Sequence, residues 1–316
     1  MSTAATPVAL PDARVPALRG LIDYAGLFPP AALGMEAAVE GFREARGSVA
    51  GWIVDRFICP SDRLEDLARV LTLTMRPAEP PWPLSLLVAR VGEWTSAVDA
   101  AVASALDFRR EMDPAAAFTA AEALLPDPLP EAAAVADAAR RLRRTGAGRV
   151  FFEVPGPTAP DTVVESALDL AAAAGAGAKL RCGGEEPGAF PDPARVAGFL
   201  AGCSHRGVPA KATAGLHHPF RHRDDATGIV HHGFLNLLAA AVFAATVDAA
   251  TVEEIVADGD PASFALTRGG LRWRDLRADR EAVTRARESL FVGYGSCDFT
   301  EPVADLEALG ILPVEA

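Results

Sequence analysis

Lysine is nearly absent from this chain of 316 residues: Lys179 and Lys211 stand alone against 28 arginines. A solvated lysine surface is thereby excluded. Side-chain amine chemistry is confined to two positions, because a guanidinium stays protonated while a lysine amine can lose its proton and attack a carbonyl. Both lysines end a short strand-like run that opens into a glycine-rich turn, in AGAGAKLRCGG and GVPAKATAGL. Clustered positive charge is lacking too. A formal charge of -12 offers no footprint for nucleic acid or an anionic membrane, so an anionic substrate would be held locally by backbone N–H groups and a few cations. The four cysteines, Cys59, Cys182, Cys203 and Cys297, show no CxxC or zinc spacing, which predicts reduced thiols and a cytoplasmic setting. No apolar run is long enough to span a bilayer, and the most apolar stretch, 234–247, is interrupted by Asn236 and Thr246 and reads as a buried helix. The first 20 residues lack a basic start followed by an apolar segment, so a secretion signal is not expected and their prolines predict an irregular leader.

What is present is alternation. Apolar runs of strand length at 20–23, 51–58, 84–89, 117–123, 149–154, 176–181, 209–213 and 290–293 are separated by stretches of helical period at 34–46, 61–74, 95–110, 130–145, 161–174, 193–206 and 303–309. Ser61, Thr95 and Asp161 are acceptable N-caps. Strand–helix alternation on this scale predicts an α/β chain, a single (β/α)8 barrel over residues 1–316. The spacing fails once. About 77 residues separate the seventh run from the eighth, where one unit of a typical barrel takes about 30 to 40. A helical insertion is therefore expected at about 219–287, as a lid or subunit contact, and a homo-oligomer is one expectation. It opens with a histidine- and arginine-rich loop, continues into an apolar helix at 232–246, and includes the Trp273-bearing segment LRWRDLRADR, which reads as a solvated helix or subunit contact.

Barrel active sites lie at the C-terminal ends of the strands, so Asp23, Arg56, Glu122, Glu153, Lys179, Arg181, Lys211 and Thr213 would converge on one mouth. Side chains alternate along a strand, so Lys179 and Arg181 share one face, Lys211 and Thr213 share one face of the next strand, and the two lysines would meet. A second cation beside Lys179 would lower its pKa toward neutrality, and the plainer alternative is that both lysines bind phosphate or carboxylate in a non-covalent barrel enzyme.

Six segments, in order, resemble the deoxyribose-phosphate aldolases and their class I aldolase relatives: LIDYAGLFPPAA, DRFICP, RVFFEV, AGAGAKLRCGG, PAKATAGL and GYGSCDFTEPVADLEALG. The resemblance implies a barrel, a cofactor-independent carbon–carbon lyase acting on a small and optionally phosphorylated aldehyde, sugar or oxo acid, Lys179 as Schiff-base lysine and Lys211 as its neighbour. It also implies that Gly183, Gly184, Gly215, Gly295 and Ser296 wrap an anionic group with backbone N–H donors. The family's proton-relay aspartate on the fourth strand has no close match, Glu122 being the nearest acid. Asp23 is followed by Tyr24 where the family has histidine, and the C-terminal tyrosine of some members is missing.

Other residues admit more than one reading. Glu153 or Glu122, with Asp23, is expected to move protons, and an ion pair to a lysine or arginine is the plainer role for Glu153. Arg56, Arg181 and Thr213 are candidate substrate ligands. Five of the six histidines, His217, His218, His222, His231 and His232, fall in GLHHPFRHRDD and IVHHGFLN. His217 and His218 are candidate substrate contacts in a lid loop. The alternative is a metal-dependent lyase or hydrolase, with Asp224 or Asp225 completing a histidine site, although Pro219 breaks helical pairing of His218 with His222 and no HxH or HExxH spacing occurs. A barrel that only binds a ligand or partner is the third reading. Cys182 and Cys297 would lie near the proposed mouth; a nucleophilic thiol is one reading there, but no Cys–His–acid pattern supports it and small apolar packing is the expected role.

Overall fold

The computed structural model describes residues 12–312. Its apolar runs form eight parallel strands: β1 (Ile22–Tyr24), β2 (Val54–Pro60), β3 (Trp82–Leu87), β4 (Ala116–Leu124), β5 (Arg149–Glu153), β6 (Gly177–Arg181), β7 (Ala210–Thr213) and a closing strand, Phe291–Ser296. The closing strand pairs with both β7 and β1, which completes a (β/α)8 barrel. Each predicted strand falls within a few residues of an observed one. The first twenty residues are not wholly irregular, since α1 (Arg14–Leu18) packs on the barrel; the rest of the predicted leader, 1–11, lies outside the described residues.

The outer layer contains α2 (Met35–Gly47), α3 (Leu64–Thr74), α4 (Trp94–Met112), α5 (Ala132–Arg143), α6 (Asp161–Ala173) and α7 (Pro193–Arg206). Their apolar stripes are rich in alanine, which lets helices lie close to the strands. The three predicted N-caps are not used. Their helices begin after Arg63, Glu93 and Pro160, because a 3-10 turn absorbs Ser61 and because Thr95 and Asp161 already lie inside the first turn. Ser61 Oγ accepts the Ala89 N–H at 3.1 Å instead. The α7 cap is Asp192, which accepts the Arg195 N–H at 2.7 Å.

Between β7 and the closing strand the chain makes more than helices. It forms an antiparallel hairpin, His222–Arg223 with Val230–His231, then α8 (Phe234–Phe243) and α9 (Ala249–Ala257). A three-stranded antiparallel sheet, Phe264–Thr267, Gly270–Trp273 and Leu276–Asp279, leads into α10 (Arg280–Ser289), and α11 (Thr300–Ala308) follows the closing strand. The Trp273 segment is thus strand, not solvated helix. Leu271 and Trp273 alternate inward, and the Trp273 indole N–H donates to Asp258 at 2.9 Å. Every residue of α8 is buried, against α7, α9, α10 and the closing strand, so the helices of the insertion pack on the barrel wall while the hairpin lies at the mouth. Asn236 joins these parts: its amide N–H₂ donates to the Ile255 and Asp258 carbonyls at 2.8 Å, and its oxygen accepts the Arg221 N–H at 2.9 Å.

The closing strand carries a bulge, seen as a register shift between Phe291 and Gly293. Val292 faces the barrel interior with Ala120 and Phe151, yet Tyr294, two residues on, stacks outward on Phe234 at 5.4 Å. Gly293 makes this reversal at φ 152°, and a Cβ there would lie 2.9 Å from the Leu21 carbonyl oxygen. Gly293→Ala should cost about 1–3 kcal/mol from backbone strain alone. Urea unfolding that shows a midpoint equal to that of the parent would refute the strained bulge.

Candidate active site

The C-terminal ends of the strands open into a cavity of about 850 Å³. Lys179 and Arg181 of β6, Glu153 of β5, Thr213 of β7, and Gly184, Gly215 and Gly295 from the turns line it, as do His217 and His218 of the loop after β7 and His222 and His231 of the hairpin. The floor is a chain of alternating charge. Lys179 Nζ lies 2.7 Å from Glu122 Oε2 and 2.8 Å from Glu153 Oε2. Lys211 Nζ bonds the other Glu122 oxygen and Asp23 Oδ2. Arg56 closes the far end, with its N–H donating to Asp23 Oδ1 at 3.2 Å and its guanidinium 3.3 Å from the same oxygen. Ser85 Oγ donates to Glu122 Oε1 at 2.6 Å.

Strand register builds this chain. Lys179 is level with Lys211 and with Glu153 on its other side, as the alternation in the sequence predicts. The amines do not meet directly, however, because Glu122 reaches from β4 across the barrel and stands between them. That changes the electrostatics. Burial lowers the pKa of Lys179, but Glu122 and Glu153 outweigh it and hold the amine above the ordinary lysine range. The expected depression of Lys179 by Lys211 is therefore overturned. Burial raises Glu122, and Lys179 and Lys211 together outweigh it and hold the carboxyl well below the ordinary range. Glu153 is lowered in the same way, against burial, by Lys179 first and then by Arg181 and Arg90.

The candidates separate by depth. Of the two lysines, Lys179 lines the cavity, while Lys211, Glu122 and Asp23 lie beneath it as a supporting layer. Arg56 is not at the mouth as expected. It sits below, spent on Asp23, Asp55 and Thr119, since its place on β2 is below the strand end. Ser296 does not face the cavity either, because the strand ends there and its hydroxyl donates to the Asp298 carbonyl at 2.6 Å. Gly183 is packed under Gly215, whose Cα a Cβ would approach to 2.8 Å, so its role is close passage of two turns.

The histidines divide as well. His232 points away, its Nε2 on the Pro191 carbonyl at 2.7 Å. His217 and His218 bind Glu301 at 2.9 Å and Asp305 at 2.7 Å through Nδ1, and His231 lies against Phe190. Among the described residues no three His, Cys, Asp or Glu side chains converge as metal ligands. Three features escaped the sequence reading. Arg90 lines the cavity and faces Glu153 at 3.5 Å, and its position just past a predicted strand end was a usable signal. Ser85 had none, being one polar residue in an apolar run. Cys297, expected as apolar packing, lines the cavity with its sulfur 3.8 Å from His217 Nε2.

No family model and no curated protein matches the chain. Among solved structures it is similar to the tetrameric deoxyribose phosphate aldolase from Aeropyrum pernix, with 15% identity and a TM-score of 0.44 over 67% of this chain and 87% of that one. It is also similar to QR15, an aldolase, with 13% identity and a TM-score of 0.42 over 62% of this chain and 80% of that one. The barrel itself rests on the strand pairing described above. Among the described residues no helix is long and apolar enough to cross a membrane.

The buried charges give stability a definite pH dependence. Glu122 and Glu153 have folded pKa values below their unfolded value of 4.5, so their contribution is present above that pH and is lost as pH falls below it. Glu122→Gln should make the acid limb of a stability–pH curve shallower. It should also cost about 3–5 kcal/mol at neutral pH, because two buried amines lose a shared partner. A mutant acid limb as steep as the parent's, measured by urea unfolding between pH 7 and pH 3, would refute the network.

Proposed function

We propose that this protein is a Schiff-base lyase of the aldolase type, in which Lys179 condenses with a small carbonyl compound. The observation that carries this reading is that Lys179, one of two lysines in the chain, is the one that lines the cavity and is held between two carboxylates. The six segments that resemble class I aldolases support the same residue as the Schiff-base lysine.

Charge conservation reconciles a protonated resting amine with nucleophilic work. An ammonium and a neutral carbonyl become an iminium and water with no net change in charge. The carboxylates that hold the resting cation therefore hold the iminium equally well, and only a transient proton transfer is needed to free the amine. Glu153 and Glu122 are both within hydrogen-bond distance to take that proton and return it to the departing hydroxyl. The iminium then serves as the electron sink for making or breaking the adjacent carbon–carbon bond. Lys211 and Asp23 act through Glu122 by setting how readily it accepts a proton.

Anion recognition completes the reading. Arg181 is 39% and Arg90 61% exposed, both line the cavity, and each approaches Glu153 Oε1 no closer than 3.5 Å, which leaves guanidinium donors for an anion. They would take the carboxylate of an oxo acid or the phosphate of a phosphosugar. Thr213 and the turns at Gly184, Gly215 and Gly295 line the same cavity, where their N–H groups would meet an anionic end, and His217 and His218 border it from the loop that leads from β7 into the hairpin, the candidate lid.

Borohydride treatment with a panel of small aldehydes and oxo acids should leave one reduced adduct, on Lys179, and Lys179→Arg should abolish it. Peptide mapping that finds the adduct on Lys211, or no adduct with any compound, rejects the Schiff-base role. Arg181→Gln should raise KM for an anionic carbonyl substrate roughly ten- to a hundredfold, as loss of a charge-assisted contact implies, with uncharged aldehydes unaffected. Equal losses for charged and uncharged substrates would remove Arg181 from substrate binding.

A further inference from the structure

The cavity contains a second nucleophile. Cys297 Sγ lies 3.8 Å from His217 Nε2, and His217 Nδ1 lies 2.9 Å from Glu301 Oε2. The three residues come from three places: the end of the closing strand, the loop after β7, and the first turn of α11. All three line the cavity that Lys179 lines. A nucleophile within reach of an imidazole that is oriented through its other nitrogen by a carboxylate is the arrangement that activates a weak nucleophile by general-base assistance. With Glu301 accepting from Nδ1–H, the tautomer leaves Nε2 free to take the thiol proton.

We propose that Cys297, His217 and Glu301 form a thiol site that captures an aldehyde reversibly as a thiohemiacetal. Sulfur adds to the carbonyl carbon, forming a carbon–sulfur bond as the carbonyl π bond opens. The thiol proton passes to His217 Nε2 and from there to the new alkoxide oxygen, so the sum is a simple addition with no redox change. The site is distinct from Lys179 in chemistry and stands whether or not Lys179 forms an imine. Burial pushes the Cys297 thiol up, as does the charge of Asp298 and Glu301, so the resting group is a thiol and needs the imidazole to react. The other three cysteines are no rivals. Cys59, Cys182 and Cys203 are fully buried, burial raises all three thiols, and none lines the cavity.

The geometry also explains why a thiol is useful there. In carbon–carbon cleavage one fragment leaves as an aldehyde, and in synthesis one enters as an aldehyde. A soft nucleophile in the same cavity as the amine would retain that fragment without competing for the imine.

The test is alkylation of the folded full-length protein with iodoacetamide, followed by peptide mapping, with and without propanal as competitor. Carboxamidomethylation should fall on Cys297. His217→Gln should slow it by about a hundredfold, the lower part of the range for a positioned base. Glu301→Gln should slow it by less, since the imidazole is retained and only its orientation is lost. Propanal should protect Cys297 in the parent and equally in Lys179→Arg, which cannot form the imine. Thermal unfolding of each variant checks that the cavity is intact. An unchanged labelling rate in His217→Gln overturns the base, and protection by propanal that vanishes in Lys179→Arg overturns aldehyde capture by the thiol. Loss of borohydride trapping at Lys179 with protection of Cys297 retained would instead count against the amine alone.

Discussion

One carboxylate holds the centre of this barrel together. Glu122 accepts from Lys179 through one oxygen, and from Lys211 and Ser85 through the other, in a position with no solvent exposure. Removing it would leave Lys179 with Glu153 alone and Lys211 with Asp23 alone, in a medium where incompletely compensated charge costs several kcal/mol. Its neighbours extend the same logic outward, Asp23 to Arg56 at the bottom and Glu153 to Arg90 and Arg181 at the rim. Lys179, Lys211 and Arg56 are each shared between two carboxylates, so the loss of one acid is felt by its neighbours.

Small residues make room for it. β4 brings Ala120, Ala121 and Ala123 around Glu122, and β6 begins with Gly177, where a Cβ would lie 2.5 Å from the Phe151 ring and 2.7 Å from the Pro209 carbonyl. Phe151 in turn forms part of the apolar layer under Lys211, whose ammonium lies 5.8 Å from its ring centre. The polarity of the barrel is thus graded: an apolar base, a paired ionic layer, and a cavity at whose wall Lys179 and Glu153 are the accessible ends of that layer. That gradation places paired carboxylates and amines directly below the cavity.

The insertion shapes the upper half. Burying α8 on all sides anchors the hairpin that carries His222 and His231, while Asn236 ties hairpin, α8 and the end of α9 through three hydrogen bonds. The bulge at Gly293 sets how the closing strand leaves the barrel, and hence where Gly295 and Cys297 meet the cavity. A wall helix and a one-residue irregularity therefore decide the chemistry at the mouth.

The sequence by itself determined the strand count, the strand positions, the interruption after β7 and the two amines, because period-two and helical burial patterns are local and survive without knowledge of partners. It also identified Glu122, Glu153 and Asp23 as inward acids. It could not say that Glu122 stands between the lysines, 57 residues from one and 89 from the other, because that contact exists only after the barrel closes. Nor does it reveal a protonated Lys179: the like charge of Lys211 on the adjacent strand follows from alternation, whereas the opposite charge of Glu122 reaches the amine only across the closed interior. Arg56 and Ser296 were misplaced for a related reason, since height within a barrel depends on stagger between strands and not on sequence position. Cys297, His217 and Glu301 form one cluster only through the pairing of β7 with the closing strand, which brings together residues 80 and 84 apart in the chain. Local pattern decided which side chains face inward, and closure, stagger and one bulge decided which of them touch.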